Sequence, residues 1–155
     1  MVVNKLYDLF YRTADEKNPE KLVPWIEKKL KNHSLDIDLR YLKLEILRWN
    51  NFDVADEKEE PEVMKLCTEV IKNKDMEAKI TVAKAYTYRG EMRHFGIDRR
   101  KDFDKALAIM KDLKSVDEEV IFLKTFINNL YNQDFRQYLP VHFNYLNMYR
   151  LDKLP

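Results

Sequence analysis

The chain has 155 residues, of which 45% are hydrophobic and 35% are charged. This length and composition are typical of one folded domain, and they argue against a disordered or membrane-embedded protein. The 28 basic and 27 acidic side chains leave a net charge of +1. The chain as a whole therefore has no strong electrostatic attraction to nucleic acid or to a membrane surface.

Glycine and cysteine are both scarce. The two glycines, Gly90 and Gly96, are too few for a glycine-rich phosphate loop or a dinucleotide-binding fingerprint. Cys67 is the single cysteine, so an internal disulfide cannot form and a reducing compartment is expected. The sequence also shows no signal-peptide pattern and no apolar run of about 18 residues. We expect a cytoplasmic protein without a membrane span.

Apolar residues recur every three or four positions along most of the chain, which predicts an all-α fold of about eight helices. The first predicted helix covers residues 3–13. Asn18 and Pro19 are favourable at a helix start and predict the second helix, but Pro24 inside the pattern would place the true start later. The predicted buried positions of this second helix are Leu22, Ile26 and Leu30.

The third and fourth predicted helices flank an acidic linker at residues 51–60. Asp36 and Asp38 place negative charge where the third helix begins, which is favourable next to the positive end of the helix dipole. Pro61 opens the fourth helix. The predicted apolar stripes are Leu35, Leu39, Leu42, Ile46 and Trp49 in the third helix, and Val63, Leu66, Cys67, Val70 and Ile71 in the fourth.

Four more helices are predicted in the second half of the chain. Asp75 is the expected N-cap of the fifth helix, which stops near Gly90, and the segment up to Gly96 is a predicted loop. Ser115 and Glu118 have the spacing of a capping box and predict the start of the seventh helix. The predicted apolar stripes are Met76, Ile80, Ala83 and Tyr86 in the fifth helix; Phe103, Leu107, Met110 and Leu113 in the sixth; Val120, Leu123, Ile127 and Leu130 in the seventh; and Phe135, Leu139, Phe143 and Leu146 in the eighth.

The spacing of the predicted helices indicates an internal repeat. Pairs that begin near residues 2, 36, 76 and 117 are about 34, 40 and 41 residues apart, which is within the range of helical-hairpin repeats. Four stacked antiparallel hairpins over residues 1–155 would form one continuous core in a single domain. The alternative is an irregular helical bundle without repeats.

The segment from Ala78 to Met110 contains a pattern of small, aromatic and charged residues, namely Ala78, Val82, Ala83, Tyr86, Gly90, Gly96, Ile97, Asp102, Lys105, Ala106 and Leu107. This pattern resembles a tetratricopeptide-like repeat, and in particular its Sel-like subtype. The resemblance implies a right-handed superhelix in which small residues let paired helices approach, an aspartate begins the second helix of the pair, and a concave surface binds a peptide or a protein.

Catalytic and metal-binding patterns are weak in this sequence. The three histidines are far apart, and the pair Glu91 and His94 lacks the second Glu-x-x-His copy that a di-iron bundle requires. Cys67 falls on an apolar helix stripe, which is typical of a buried and inert thiol. We expect no cofactor, no metal site and no enzymatic activity, while an all-α enzyme built on scattered carboxylates remains an alternative.

Two segments concentrate charge of opposite sign. Residues 53–62 contain six acids and one lysine, and residues 89–101 contain five cations and two acids. Such segments steer association and select partners more than they increase affinity. The acids are Asp53, Asp56, Glu57, Glu59, Glu60 and Glu62, and the cations are Arg89, Arg93, Arg99, Arg100 and Lys101.

Tyrosine and arginine, which are enriched in binding hot spots, occur on one side of the third predicted helix and at the end of the fifth. Together with the acidic segment they define a predicted partner-binding set, although the tyrosines could instead complete helix packing. The set consists of Tyr41, Glu45, Arg48, Asp56, Glu57, Glu59, Glu60, Tyr88 and Arg89. The aromatic-rich eighth helix is a further candidate contact, with a partner or with a second copy of the chain in a dimer.

These features predict a non-catalytic protein–protein interaction module. A short binder without an attached catalytic module would act by occupying its partner, as an immunity protein does when it neutralises a bacterial toxin. The alternative is a nucleic-acid-associated helical protein that uses the basic segment 89–101 on phosphates. We rank nucleic acid below a protein partner because the basic density is low.

Overall fold

The structure is a computed structural model that describes residues 22–50, 55, 57–93 and 96–133, with side chains for residues 23–48, 55, 57–93 and 96–131. This part of the chain contains no strand, so the prediction of an all-α fold is confirmed there. The predicted helix at 3–13, the Asn18-Pro19 start and the aromatic eighth helix lie outside the described residues. The described ranges contain six helices with defined bounds: α1 (Leu22–Asn32), α2 (Ile37–Asn50), α3 (Glu60–Lys72), α4 (Lys79–Met92), α5 (Ile97–Met110) and α6 (Glu118–Gln133).

The chain divides into two compact units, residues 1–77 and residues 78–155. Unit 1 contains α1 to α3, and unit 2 contains α4 to α6. The single repeat domain over residues 1–155 stays a prediction.

In unit 1, α2 packs against both α1 and α3. Pro24 lies in the first turn of α1, where a proline is tolerated, and Ile26 and Leu30 are buried as predicted. Asp36 caps α2, because its Oδ1 accepts the N–H of Leu39 at 3.1 Å. Since α2 has neighbours on two sides, its burial extends far beyond one stripe; the buried apolar residues are Ile37, Leu39, Tyr41, Leu42, Leu44 and Ile46.

Leu35 corrects the predicted stripe of this helix. It precedes the cap of α2 and is 75% exposed, so its predicted burial is wrong. The fourth predicted helix is confirmed as α3, with Pro61 in its first turn. The buried residues of α3 are Val63, Leu66, Cys67 and Val70.

In unit 2, α4 packs against both α5 and α6. It begins at Lys79, with Ala78 and not Asp75 at the N-cap position. Met76 precedes the helix and is 88% exposed, so the predicted cap and the predicted burial of Met76 are both wrong. The helix ends at Met92, which places Gly90 inside it and not at its end.

Helix α5 lies very close to α4 at Gly90. A Cβ atom on Gly90 would come within 2.6 Å of the Phe103 ring, so glycine is needed for this approach. Gly96, with φ of 108°, occupies the N-cap position of α5. Because α5 begins at Ile97, Asp102 lies in the middle of the helix, and the expectation that this aspartate begins it is wrong.

Helix α6 confirms the seventh predicted helix but not its cap. The side chain that caps it is Asp117, whose Oδ1 accepts the N–H of Glu119 at 3.2 Å. Ser115 lies two residues earlier in the exposed loop, so the predicted capping box is wrong. Val120, Leu123, Ile127 and Leu130 are buried as predicted.

Candidate functional site

Tyr41, Glu45 and Arg48, predicted to bind a partner, lie in the interior of unit 1. Tyr41, Glu45 and Arg48 are 1%, 0% and 3% exposed, because neighbouring helices cover α2 on most of its sides. The expectation that they form an accessible face is therefore corrected. A partner could reach these three side chains only if the packing around α2 opened.

Arg48 is the centre of a buried charge cluster that joins α2 to α3. Its Nη1 donates to Glu45 Oε1 at 3.1 Å, one turn earlier on α2, and its Nη2 donates to Glu60 Oε2 at 2.8 Å. The guanidinium and the Glu45 carboxylate have no exposed side-chain surface, and the Glu60 side chain is 16% exposed. One guanidinium thus lies between two carboxylates. The cluster links α2 to α3 by charged hydrogen bonds, which is a structural role.

Residues 55, 57 and 58 of the predicted acidic linker are helical, so the linker prediction is wrong there. The acids of this segment are only partly available for recognition. Glu59 lies 3.3 Å from Lys43 Nζ, which also lies 3.5 Å from Glu27 of α1, and Glu60 belongs to the Arg48 cluster. Glu57 is exposed, whereas Asp53 and Asp56 lie outside the described residues. The structure therefore assigns two of the predicted binding acids to contacts within unit 1.

In unit 2, Asp102 of α5 is the centre of a second charge cluster. Arg89 donates from Nε to Oδ2 at 2.9 Å and from Nη2 to Oδ1 at 2.7 Å, a two-point contact that fixes the guanidinium in the plane of the carboxylate. Arg93 Nε lies 2.9 Å from the same Oδ2, and its Nη1 lies 3.7 Å from Asp98. Here one carboxylate lies between two guanidiniums, directly beside Gly90.

Most of the other residues of unit 2 that were predicted to bind a partner are buried or paired within the unit. Tyr88 is fully buried, and Arg89 has only 15% of its side chain exposed. Arg99 is 7% exposed, with its guanidinium carbon 5.4 Å from the centre of the Phe103 ring. Of the five cations in the basic segment 89–101, Arg100 and Lys101 are the two exposed ones. The segment is therefore not a continuous cationic surface.

The sequence analysis missed another buried charge contact in unit 2, which joins α4 to α6. Lys84 is 6% exposed, and its Nζ lies 3.2 Å from Glu119 Oε2. Lysine on the apolar side of α4 and an acid in the first turn of α6 were the available signals. Within the described residues, no group of three or more histidine, cysteine or acidic side chains is arranged to hold a metal ion.

In the part of the chain that the structure describes, four large apolar residues are exposed at the surface, and two of them, Leu35 and Met76, had been predicted to be buried. Each lies at a connection between helices, just before a helix or at its first residue: Leu35, Met76, Ile97 and Val116, which are 75%, 88%, 69% and 80% exposed. The cap positions could have revealed two of them, because a residue that precedes Asp36 or Asp117 lies outside the helix that the aspartate caps.

None of the helices in the described ranges has the length and hydrophobicity that a bilayer crossing requires. Comparison of the chain with protein-family models, with curated proteins and with solved structures finds no match.

Proposed function

We propose that this protein is a non-catalytic protein-binding module that neutralises one protein partner by occupying it, in the manner of a toxin immunity or inhibitor protein. The observation that carries the proposal is the exposure of Leu35, Met76, Ile97 and Val116, all at helix connections. Burial of a large apolar side chain stabilises by about 1.5–3 kcal/mol, so a partner that covers several of them would gain affinity.

The charge clusters support the same proposal. Arg48 joins α2 to α3 and Asp102 joins α5 to α4, so the helices that carry the connections are linked to their neighbours by charged hydrogen bonds. A rigid surface loses less conformational entropy on binding than a mobile one. Because Arg89, Arg93 and Arg99 are engaged or buried within unit 2, the nucleic-acid alternative has less support than its sequence segment suggested.

The tetratricopeptide-like superhelix is part of this proposal. Helices α2, α4 and α6 begin about 42 and 39 residues apart, close to the repeat length that the sequence predicts. Within its own unit, each of these helices makes the same kind of contact: Arg48 near the end of α2 and Arg89 near the end of α4 each bind an acid of the following helix. An experimental structure in which consecutive hairpins are related by a right-handed rotation would test it.

The function is tested by recovering the partner of the intact chain. Tagged protein is purified under native conditions from its source cells, and the mass of the complex and its nucleic-acid content are measured. We expect one protein at one-to-one stoichiometry, and we expect the complex to weaken in at least one of the variants Leu35→Ser and Val116→Ser, which are made separately. A chain that is recovered only alone, or only with RNA, would contradict the proposal.

A further inference from the structure

The outward side of α5 and its C-terminal cap carries an exposed surface, which we call the α5 outer face: Ile97, Lys101, Lys105, Ala108 and Lys111. Their spacing of four, four, three and three residues places all five on one side of a helix, opposite the buried Phe103 and Ala106. The face is about 21 Å long at the rise of an α-helix. Ile97 is 69% exposed at one end of it, and lysines occupy most of the rest.

The acids near this face are turned towards contacts within unit 2. Asp98 lies 3.7 Å from Arg93, and Asp112 lies 3.6 Å from Lys79. Asp104, the acid nearest the centre of the face, accepts the hydroxyl of Tyr131 from α6 at 2.8 Å. In the described part of the chain, no ion pair is found for Lys101, Lys105 or Lys111. Asp104 keeps its negative charge, because the hydroxyl that it accepts is neutral, but the three lysines outnumber this one carboxylate and leave the face with a net positive charge.

We infer that the α5 outer face binds an acidic, partly apolar segment of the protein partner. Lys101 and Lys105 are one turn apart, so they match carboxylates about 6 Å apart, such as acids spaced four residues apart on a partner helix. Ile97 and Ala108 offer apolar contact on either side of this pair along the helix. This inference rests on the proposed function, and it names the chemistry of the partner surface.

A protein segment fits this face better than nucleic acid does. Asp104 lies between Lys101 and Lys105 along the helix and repels the regularly spaced charges of a phosphate backbone. Discrete carboxylates can be placed to avoid it. The exposed Ile97 side chain adds a contact that a phosphate backbone does not use.

The test is an NMR titration of the isotope-labelled full chain with a helical peptide of about 18 residues that carries leucines and glutamates spaced four residues apart. We expect saturable shifts confined to α5 and its cap, and about tenfold weaker binding for the variant Lys101→Glu/Lys105→Glu. The variant Lys28→Glu/Lys31→Glu makes the same charge change at exposed positions of α1 and is expected to bind as the wild type does.

Three results would overturn the inference: no saturable shifts on α5, equal binding by the Lys101→Glu/Lys105→Glu variant, or tighter binding of a single-stranded DNA oligonucleotide to this face. A circular dichroism spectrum and melting curve of each variant establish that it folds. If the native partner is recovered and binds the Lys101→Glu/Lys105→Glu variant unchanged, the proposed function stands and this surface assignment fails. If no partner is recovered, the proposed function itself fails.

Discussion

In each unit a cluster of charged side chains joins two helices, α2 to α3 in unit 1 and α4 to α5 in unit 2, and the two clusters have opposite central charges. In unit 1 the arginine Arg48 lies between the carboxylates of Glu45 and Glu60, whereas in unit 2 the carboxylate of Asp102 lies between Arg89 and Arg93. The first cluster is almost completely buried, and the second opens towards water, because the Arg93 side chain is 32% exposed.

This difference shows how burial sets the dependence of a fold on one charge. A buried ion pair is weak evidence for net stability, but removal of one partner leaves an uncompensated charge in the interior. Where the remaining groups can reach water, that cost falls. The two units should therefore respond unequally when the central group of each cluster is removed.

The largest expected effect is that of Arg48→Met. It leaves the Glu45 carboxylate in the interior beside Glu60, and we expect a loss of about 3–5 kcal/mol in the free energy of unfolding. Asp102→Asn leaves the guanidiniums of Arg89 and Arg93, which are more exposed than Glu45, without their carboxylate. We expect a loss of about 1–3 kcal/mol in the free energy of unfolding. Urea denaturation of both variants measures the two losses.

Lys72→Met is the matched control for these variants. Lys72 and Glu69 form an exposed pair at 3.8 Å, with 68% and 54% of their side chains exposed, so its loss should cost less than about 1 kcal/mol. Equal losses for Arg48→Met and Asp102→Asn would break the comparison, because burial would then not decide the cost.

The second effect concerns the close approach of α5 to α4 at Gly90 in unit 2, the unit that contains both glycines of the chain. In Gly90→Ala the new Cβ would overlap the Phe103 ring at 2.6 and 2.7 Å. Alanine favours the helix by about 1 kcal/mol, but the overlap should exceed this gain and give a net loss of about 1–3 kcal/mol.

A double-mutant cycle of Gly90→Ala and Phe103→Leu tests whether the Phe103 ring is what an alanine side chain at position 90 would meet. In a Phe103→Leu background the flat ring is absent, so Gly90→Ala should cost less there than in the wild type. The comparison of melting temperatures and denaturation midpoints of the four proteins measures this coupling. The same cost in both backgrounds would show that the ring does not set the helix separation.

The smallest effects should be alike in the two units. Asp36 and Asp117 each accept a backbone N–H at a helix start, so Asp36→Ala and Asp117→Ala are each expected to cost about 1 kcal/mol. Ser115→Ala should cost close to nothing, because Asp117 makes the cap. If Ser115→Ala were as costly as Asp117→Ala in urea denaturation, the capping assignment of α6 would be wrong.

Local chemistry made some of these elements predictable from the sequence. Pro61 marks the start of α3, and Asp36 marks the start of α2, because a fixed φ angle and a side-chain acceptor act within one turn of their own residue. Leu35 and Met76 were misassigned because an apolar spacing continues across a helix start without interruption.

The burial of Tyr41, Glu45 and Arg48 could not be predicted from α2 alone. It depends on α1 and α3 covering the helix from two sides, which is a property of tertiary packing. Asp102 was likewise interpreted as a helix start, since the sequence does not show that Arg89 of the preceding helix and Arg93 just after that helix converge on it. The partner-binding surface stays a prediction for the same reason: exposure is decided by elements distant in the chain.

Because Cys67 is buried, the reaction of its thiol with a labelling reagent can report how often the packing of unit 1 opens. The residue is 0% exposed on α3, and it is the single thiol in the chain. A thiol reagent can modify it only in molecules in which the surrounding packing has opened, so the labelling rate reports the population or the rate of that opening. Mass spectrometry can then read the opening of this unit, one added label per molecule, without any engineered probe.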